Sequence, residues 1–259
     1  MSAPPTVAAF GQRIRSRQLV LGYWVVLDSP VSTERLARVG YDYICFDAQH
    51  GLLAYPGVLA GLMAVDAGGR SVGLVRVGAN DPFHIGQALD AGAVGVIVPL
   101  VNTADDAARA LAAATYPPSG VRSYGPMRSG LRVGPTPVEA DSAVVTLAMI
   151  ETADGLANVE EICAVPGLAG IYVGPSDLRI AVVGASPWDE SVNDVFDSAL
   201  VRIQNAAARA GVAAGIHTTS GAQAARRLDQ GFTFATVSSD LDHLEAAAAL
   251  HLAAARGNA

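Results

Sequence analysis

The sequence predicts a single-domain (β/α)8 barrel spanning residues 1–259. Three observations carry this. Eight short apolar runs alternate with eight helix-like segments over about 250 residues, the arithmetic of that fold. Gly40, Gly92, Gly170 and Gly211 fall shortly before or at the start of runs, as in turns that end a helix and begin a strand. Two carboxylates, Glu151 and Asp177, stand at equivalent places after neighbouring runs. A doubly wound open sheet is the competing topology. It usually carries a glycine-rich phosphate loop after its first strand, and Leu27-Asp28-Ser29-Pro30 is not one, so no NAD is expected.

The strand runs are 19–27, 43–47, 72–77, 95–101, 144–151, 170–174, 213–218 and 234–239. The helical stretches are 32–39, 55–66, 82–91, 104–116, 154–163, 191–210, 220–230 and 241–256. The first run follows three arginines and mimics a signal peptide. Asp28-Ser29-Pro30 follows it with no small-residue cleavage site, so it reads as a strand and the protein as cytoplasmic. Trp24 lies within it, and core packing is the simpler use of so much apolar area. The second run stops at Asp47, with His50 three residues on; His50 is the best general-base candidate, or else a histidine bonded to a loop carbonyl. The third run ends on Arg76. A guanidinium there needs an anion, either a structural acid or a substrate carboxylate or enolate. Asp90, in the following helix, reads by itself as a solvated residue. Residues 117–136 form the one long irregular section, a lid, binding loop or oligomer contact. Its Arg122, Arg128 and Arg132 suit an anionic substrate tail or simply solvent.

The fifth run stops on Glu151. The sixth leads to Gly174-Pro175-Ser176-Asp177, with a helical pattern between the two runs, so both strands lie parallel. Two hard oxygen ligands on adjacent strand ends suit Mg2+ or Mn2+, although either acid alone could be a helix cap. His217 and Ser238 to Asp240 close the last two strands, as caps or as part of a phosphate site. Neither loop holds an arginine, which weakens the phosphate reading.

Composition removes several chemistries. The chain is 51% hydrophobic and 16% charged, enough to bury a large core. A net charge of −7 argues against nucleic-acid partners and anionic membrane surfaces, and no run approaches the ~20 apolar residues of a membrane span. All 17 basic residues are arginine. Without lysine there is no Schiff-base aldolase, no pyridoxal phosphate (PLP) and no Walker-A loop. Cys45 and Cys163 sit in apolar patterns and read as buried thiols.

Taken in order, several segments resemble the HpcH/HpaI aldolases, the class II, metal-dependent pyruvate aldolases. They are Gly40-Tyr41-Asp42-Tyr43 leading to Asp47-Ala48-Gln49-His50, Val75-Arg76 with Asp81-Pro82, residues 87–92, Val98-Pro99, residues 116–122, Ile150-Glu151-Thr152 and residues 173–178. The resemblance implies a (β/α)8 barrel assembled as a homo-hexamer, a trimer of dimers. It implies a divalent metal on Glu151 and Asp177, Mg2+ or Mn2+ with Co2+ or Zn2+ as further options. A 2-oxo acid and an aldehyde would be the small-molecule partners. Pyruvate would have its carboxylate on amides around Gly174, Pro175 and Ser176, and Arg76 would stabilise the enolate. His50 would act as base with Asp90 orienting it, and Asp47 would support the metal's water shell. Trp24 would line the pocket, and Arg122 would sit near the aldehyde half. Gln49, Met149 and His217 depart from common members, which have glutamate, glutamine and an aliphatic residue there. Met149-Ile150-Glu151-Thr152 is closer to members resembling macrophomate synthase.

Three functions follow as expectations. The first is reversible cleavage of 4-hydroxy-2-oxo acids to pyruvate and an aldehyde. The second uses the same enolate for oxaloacetate decarboxylation or another carbon–carbon bond. The third is a non-catalytic barrel that binds a small anion.

Overall fold

Side chains on a strand alternate between two faces, and in a closed barrel those faces are the interior and the helix layer. In the computed structural model, which describes residues 7–257, eight strands follow this rule, with one register shift where β8 meets β1 between Thr236 and Ser239. They are β1 (Val20–Val25), β2 (Tyr43–Asp47), β3 (Val72–Arg76), β4 (Gly95–Val98), β5 (Val145–Ile150), β6 (Gly170–Val173), β7 (Ala213–Thr218) and β8 (Phe234–Ser239). They close into a barrel in sequence order, every neighbouring pair parallel, with β1 meeting β8 at Val20 opposite Phe234. The expected (β/α)8 architecture is present.

Helix α1 (Val7–Arg15) precedes the barrel. Helices α2 (Pro30–Leu36), α3 (Tyr55–Gly68), α4 (Pro82–Asp90) and α5 (Ala104–Ala114) follow the first four strands in turn. Short helices α6 (Ser129–Arg132) and α7 (Pro137–Ala143) lie before β5, and α8 (Ala153–Ala157) and α9 (Val159–Cys163) follow it. Helices α10 (Pro175–Ala181) and α11 (Asn193–Ala210) follow β6, α12 (Gly221–Asp229) follows β7, and α13 (Asp240–Ala255) follows β8. Among the described residues no helix is long and apolar enough to cross a membrane.

Three differences from the sequence reading matter. The single helix expected over 154–163 is two, meeting at Asn158, whose side-chain amide donates to the Asn102 carbonyl at 2.8 Å and ties the break to the β4 loop. The section 117–136 is not wholly irregular, since α6 lies within it. Its end begins α7 with a capping box, Thr136 exchanging bonds with Glu139 ahead of Pro137. Helix α1 was not expected, although Phe10 and Ile14 stand four residues apart as a buried face requires.

The barrel interior is one apolar cluster that includes Val20, Trp24, Tyr43, Cys45, Leu74, Ile97, Leu147, Met149, Tyr172 and Phe234. The alternate residues, Val25, Ile44, Phe46, Val75, Val96, Ile150, Ile171 and Ile216 among them, pack outward against the helices. Gly22 is needed where the Tyr43 ring crosses the interior, because a Cβ there would lie 2.0 Å from the ring. Helix α1 seals the amino end. Phe10 and Ile14 join the interior cluster, Phe10 edge-on to Tyr43 with centroids 5.9 Å apart, and Arg15 Nη2 donates to the Val144 carbonyl at 2.5 Å. The interior therefore opens toward the carboxyl end.

Candidate active site at the carboxyl end of the barrel

Two residues beyond an inward-facing residue, the next side chain also faces inward. That step runs from Cys45 to Asp47, from Leu74 to Arg76, from Met149 to Glu151 and from Gly215 to His217. Four titratable groups from four strands thus form one layer above the apolar interior. A cavity of about 190 Å3 lies over them, lined by Trp24, His50, Arg76, Met149, Tyr172, Gly174, Pro175, Ser176, Asp177 and His217. Met149 and Tyr172 belong to this wall although the sequence reading did not place them in the site.

Asp47 and Arg76 are both buried and form a bidentate pair. Arg76 Nε donates to Asp47 Oδ1 at 2.9 Å and Nη2 donates to Oδ2 at 2.5 Å. The amides of Gln49 and His50 and the indole N–H of Trp24 bring the donors on Asp47 to five. Burial pushes the Asp47 carboxyl up, but the Arg76 bonds outweigh it and hold the group below the usual carboxylate range. Of the anions proposed for Arg76 the structure supplies the acid, and Asp47 serves as its anchor. The pair occupies Nε and Nη2 and leaves Nη1 for another acceptor. The guanidinium also stands 5.1 Å from the Trp24 ring centroid, and the Trp24 ring stacks on Tyr172 at 5.9 Å. Trp24 is thus both core and cavity wall. Beneath it, the hydroxyls of Tyr43 and Tyr172 each meet Thr236 Oγ1 at 2.6 Å.

Glu151 is buried. Its Oε1 accepts from the Leu100 amide at 2.8 Å, and its Oε2 is shut off from solvent with no partner. Leu100 aims that amide from a left-handed backbone, φ 54°, which costs a non-glycine residue about 1 kcal/mol. Burial, with the nearby Asp177 charge adding to it, raises the Glu151 carboxyl above its ordinary range. Asp177 stands in the first turn of α10, after Pro175 at the helix start, rather than on a free strand end. Gly174 makes the approach possible: a Cβ there would sit 2.5 Å from Glu151 Oε2 and 2.6 Å from the Met149 methyl.

A buried, unpartnered carboxyl oxygen beside a second carboxylate is the environment a divalent cation satisfies. Glu151 and Asp177 fit that group. Among the described residues no three His, Cys, Asp or Glu side chains are placed to hold one metal ion, so a cation here would take its other ligands from water and substrate oxygens.

His50 is exposed at the rim, its amide fixed to Asp47 Oδ1 at 3.0 Å. His217 is half-buried, edge-on to Trp24 with centroids 5.3 Å apart. Burial, reinforced by Arg76, lowers its pKa to about 4, and its Nδ1 has no partner. The amides expected to hold a carboxylate need revision. Pro175 has no N–H, and the Gly174 amide already faces the Ile150 carbonyl at 3.4 Å. Ser176 and Asp177, in the first turn of α10, keep amides without intrahelical acceptors.

Asp90 and Arg122 are not brought to this site within the chain. Helix α4 runs antiparallel to the strands, so Asp90 at its end lies at the amino end of the barrel. There Arg122 Nη2 donates to Asp90 Oδ1 at 2.8 Å. Arg122 is buried with Nε and Nη1 unpartnered and stands 4.5 Å from the Tyr116 ring centroid. The orienting contact from Asp90 to His50 is therefore absent inside one chain. Arg128 bonds Asp66 and the Ala91 carbonyl, so it too is structural. The possible phosphate site after β7 and β8 is occupied by caps. Ser220 caps α12, Ser239 caps α13, and Asp240 accepts the amides of Val26 and Leu27. Cys45 and Cys163 are free and buried, as expected.

Comparison with known proteins adds four findings. The HpcH/HpaI aldolase/citrate lyase family profile matches residues 20–247. A hydroxypyruvate/pyruvate aldolase of Rhizorhabdus wittichii is 40% identical over 237 residues, 91% of this chain and 94% of that protein. Among solved structures, an HpcH/HpaI aldolase/citrate lyase family protein from Burkholderia cenocepacia superposes with a TM-score of 0.85 at 31% identity, over 96% of this chain and 99% of its own. Macrophomate synthase superposes with a TM-score of 0.86 at 25% identity, over 98% of this chain and 90% of its own.

Proposed function

The chain belongs to the HpcH/HpaI aldolase/citrate lyase family and is a carbon–carbon lyase of the aldolase type, and from that premise we propose a class II, metal-dependent pyruvate aldolase. Its reaction is the reversible cleavage of 4-hydroxy-2-oxo acids to pyruvate and an aldehyde. The observation that carries this reading is Glu151 Oε2, buried and unpartnered beside Asp177, in a layer shared with Arg76. The non-catalytic barrel falls away with family membership.

Glu151 and Asp177 hold the cation, Mg2+ or Mn2+. When bound it supplies positive charge where the keto oxygen gains electrons. The chain's own residues do the rest. The amides of Ser176 and Asp177 receive the substrate carboxylate. Arg76, held rigid by Asp47, offers Nη1 to the developing enolate oxygen. His50 takes the proton of the C4 hydroxyl as the C3–C4 bond breaks and the bonding pair moves into the enolate. The aldehyde leaves, and the proton returns to C3 to give pyruvate. With no lysine in the chain, an iminium cannot serve as electron sink.

Asp90 and Arg122 act in this scheme from a second copy of the chain, as part of a homo-oligomer, the hexamer that the family resemblance implies. The exposed helix α13 supports such an assembly. Asp240 is its only buried residue, and Leu244, Leu250 and Leu252 are exposed on it. The cytoplasmic setting remains part of the proposal.

Chelation is the direct test. Removing divalent metal should abolish pyruvate release from 4-hydroxy-2-oxo acids, and Mg2+ or Mn2+ should restore it; activity that survives chelation would overturn the reading. A second use of the same site is oxaloacetate decarboxylation, favoured by Met149 in the cavity wall and by the likeness to macrophomate synthase. Turnover of oxaloacetate under Mg2+, measured beside that of a hydroxy-oxo acid, decides how much of the activity it represents.

A further inference from the structure

His217 is the shared wall of two cavities. On one side is the bowl of about 190 Å3, large enough for a pyruvate. On the other is an annex of about 720 Å3 that reaches toward α11 and α12, with Ser176, Arg179, Asn193, Thr219 and Gln223 among its walls. Pro175 and Ser176 also border both, so the annex lies next to the bowl along the His217 side.

The chemistry of this passage is specific. The His217 imidazole is held edge-on against Trp24, and its Nδ1 is closed to solvent without a partner. An imidazole on the wall of both cavities gains from a substrate hydroxyl that a methyl group cannot replace. With a pKa of about 4 the ring is neutral at working pH, one nitrogen donating and the other accepting. The annex mixes polar walls with the apolar faces of Pro187, Trp188 and Phe196 and carries no strong net charge. Arg179 is its cation, but Nη1 already serves the Asp189 carbonyl and Asn193 at 2.8 Å each, and the guanidinium lies over the Phe196 ring. Glu190 and Asp242 line the same space and oppose an anionic tail.

We propose that His217 and the annex beyond it form the electrophile subsite, and that this subsite selects aldehydes with a hydroxyl next to the carbonyl and an uncharged, hydroxylated tail. The inference rests on the aldolase reading and adds its acceptor class.

The test is condensation by the intact enzyme with pyruvate and Mn2+, comparing glycolaldehyde with propanal, its isostere without the hydroxyl. In the wild type, glycolaldehyde should lead in kcat/KM by about tenfold or more. In His217→Leu the two should fall within about twofold of each other, while His217→Gln, which keeps a donor and an acceptor, should retain most of the preference. A ratio within one variant cancels any loss on the pyruvate side. An aldotetrose should outperform succinic semialdehyde, whose tail is charged. An unchanged ratio in His217→Leu, or a wild-type preference for propanal or succinic semialdehyde, overturns the proposal. Deuterium exchange into the pyruvate methyl, run on the wild type without aldehyde, separates the two levels. Exchange with an unchanged ratio sinks the subsite alone, and no exchange sinks the aldolase reading and the subsite together.

Discussion

Asp47 carries more of the site than its place on one strand implies. It anchors Arg76 through two bonds while three further N–H groups converge on it, so its charge is built into the rim. Asp47→Asn should cost about 3 kcal/mol at neutral pH, because it leaves a buried guanidinium without its counter-charge. The folded carboxyl sits below its unfolded range, so its contribution is present above about pH 3.9 and fades as pH falls through the lower folded value. Urea melts from pH 7 downward should show the gap between wild type and variant closing in acid; a gap constant with pH would show that the ion pair is not its source. Asp47, Arg76 and Glu151 were legible in the sequence because a charge ending an apolar strand has few places to go. Leu100 was not legible, since its useful atom is a backbone amide and nothing in its side chain announces a left-handed turn. For Asp90 the resemblance implied a role but not a place, since it carried no information on the direction of the helix that holds the residue.

At the scale of elements, α1 and α13 are the informative pair. Nine residues of α1 close the barrel floor, and Phe10 and Ile14 are the face that does so; with only two large apolar residues among its arginines the segment carries a weak helical pattern. The segment 241–256 was expected to be helical and is, but nothing in its alanine-rich pattern tells which surface it covers. In one chain it covers almost none. A 16-residue helix with so little packed against it draws little stability from tertiary contacts. Leu250→Glu with Leu252→Glu should therefore shift sedimentation from oligomer toward monomer and lower the melting temperature. Unchanged sedimentation would place the subunit contacts elsewhere.

For the whole molecule, strand order, parallel pairing and the polar layer at one end were all implied by eight alternating runs, because a closed barrel leaves each run one neighbour on either side. What could not be seen was that Asp90 and Arg122 end at the opposite pole from His50. If both ends meet only between copies, two inactive variants, His50→Ala and Asp90→Ala, should regain a fraction of wild-type activity when co-assembled. Failure to recover in a verified mixed oligomer would return Asp90 to a purely structural part. The plug made by Phe10 and Ile14 has its own kinetic consequence. With the floor stoppered, traffic runs through a single doorway, and a ketoacid lodged at the back must be first in and last out. During cleavage, pyruvate should thus compete with the hydroxy-oxo acid while the aldehyde inhibits noncompetitively; the reverse pattern would mean a second exit.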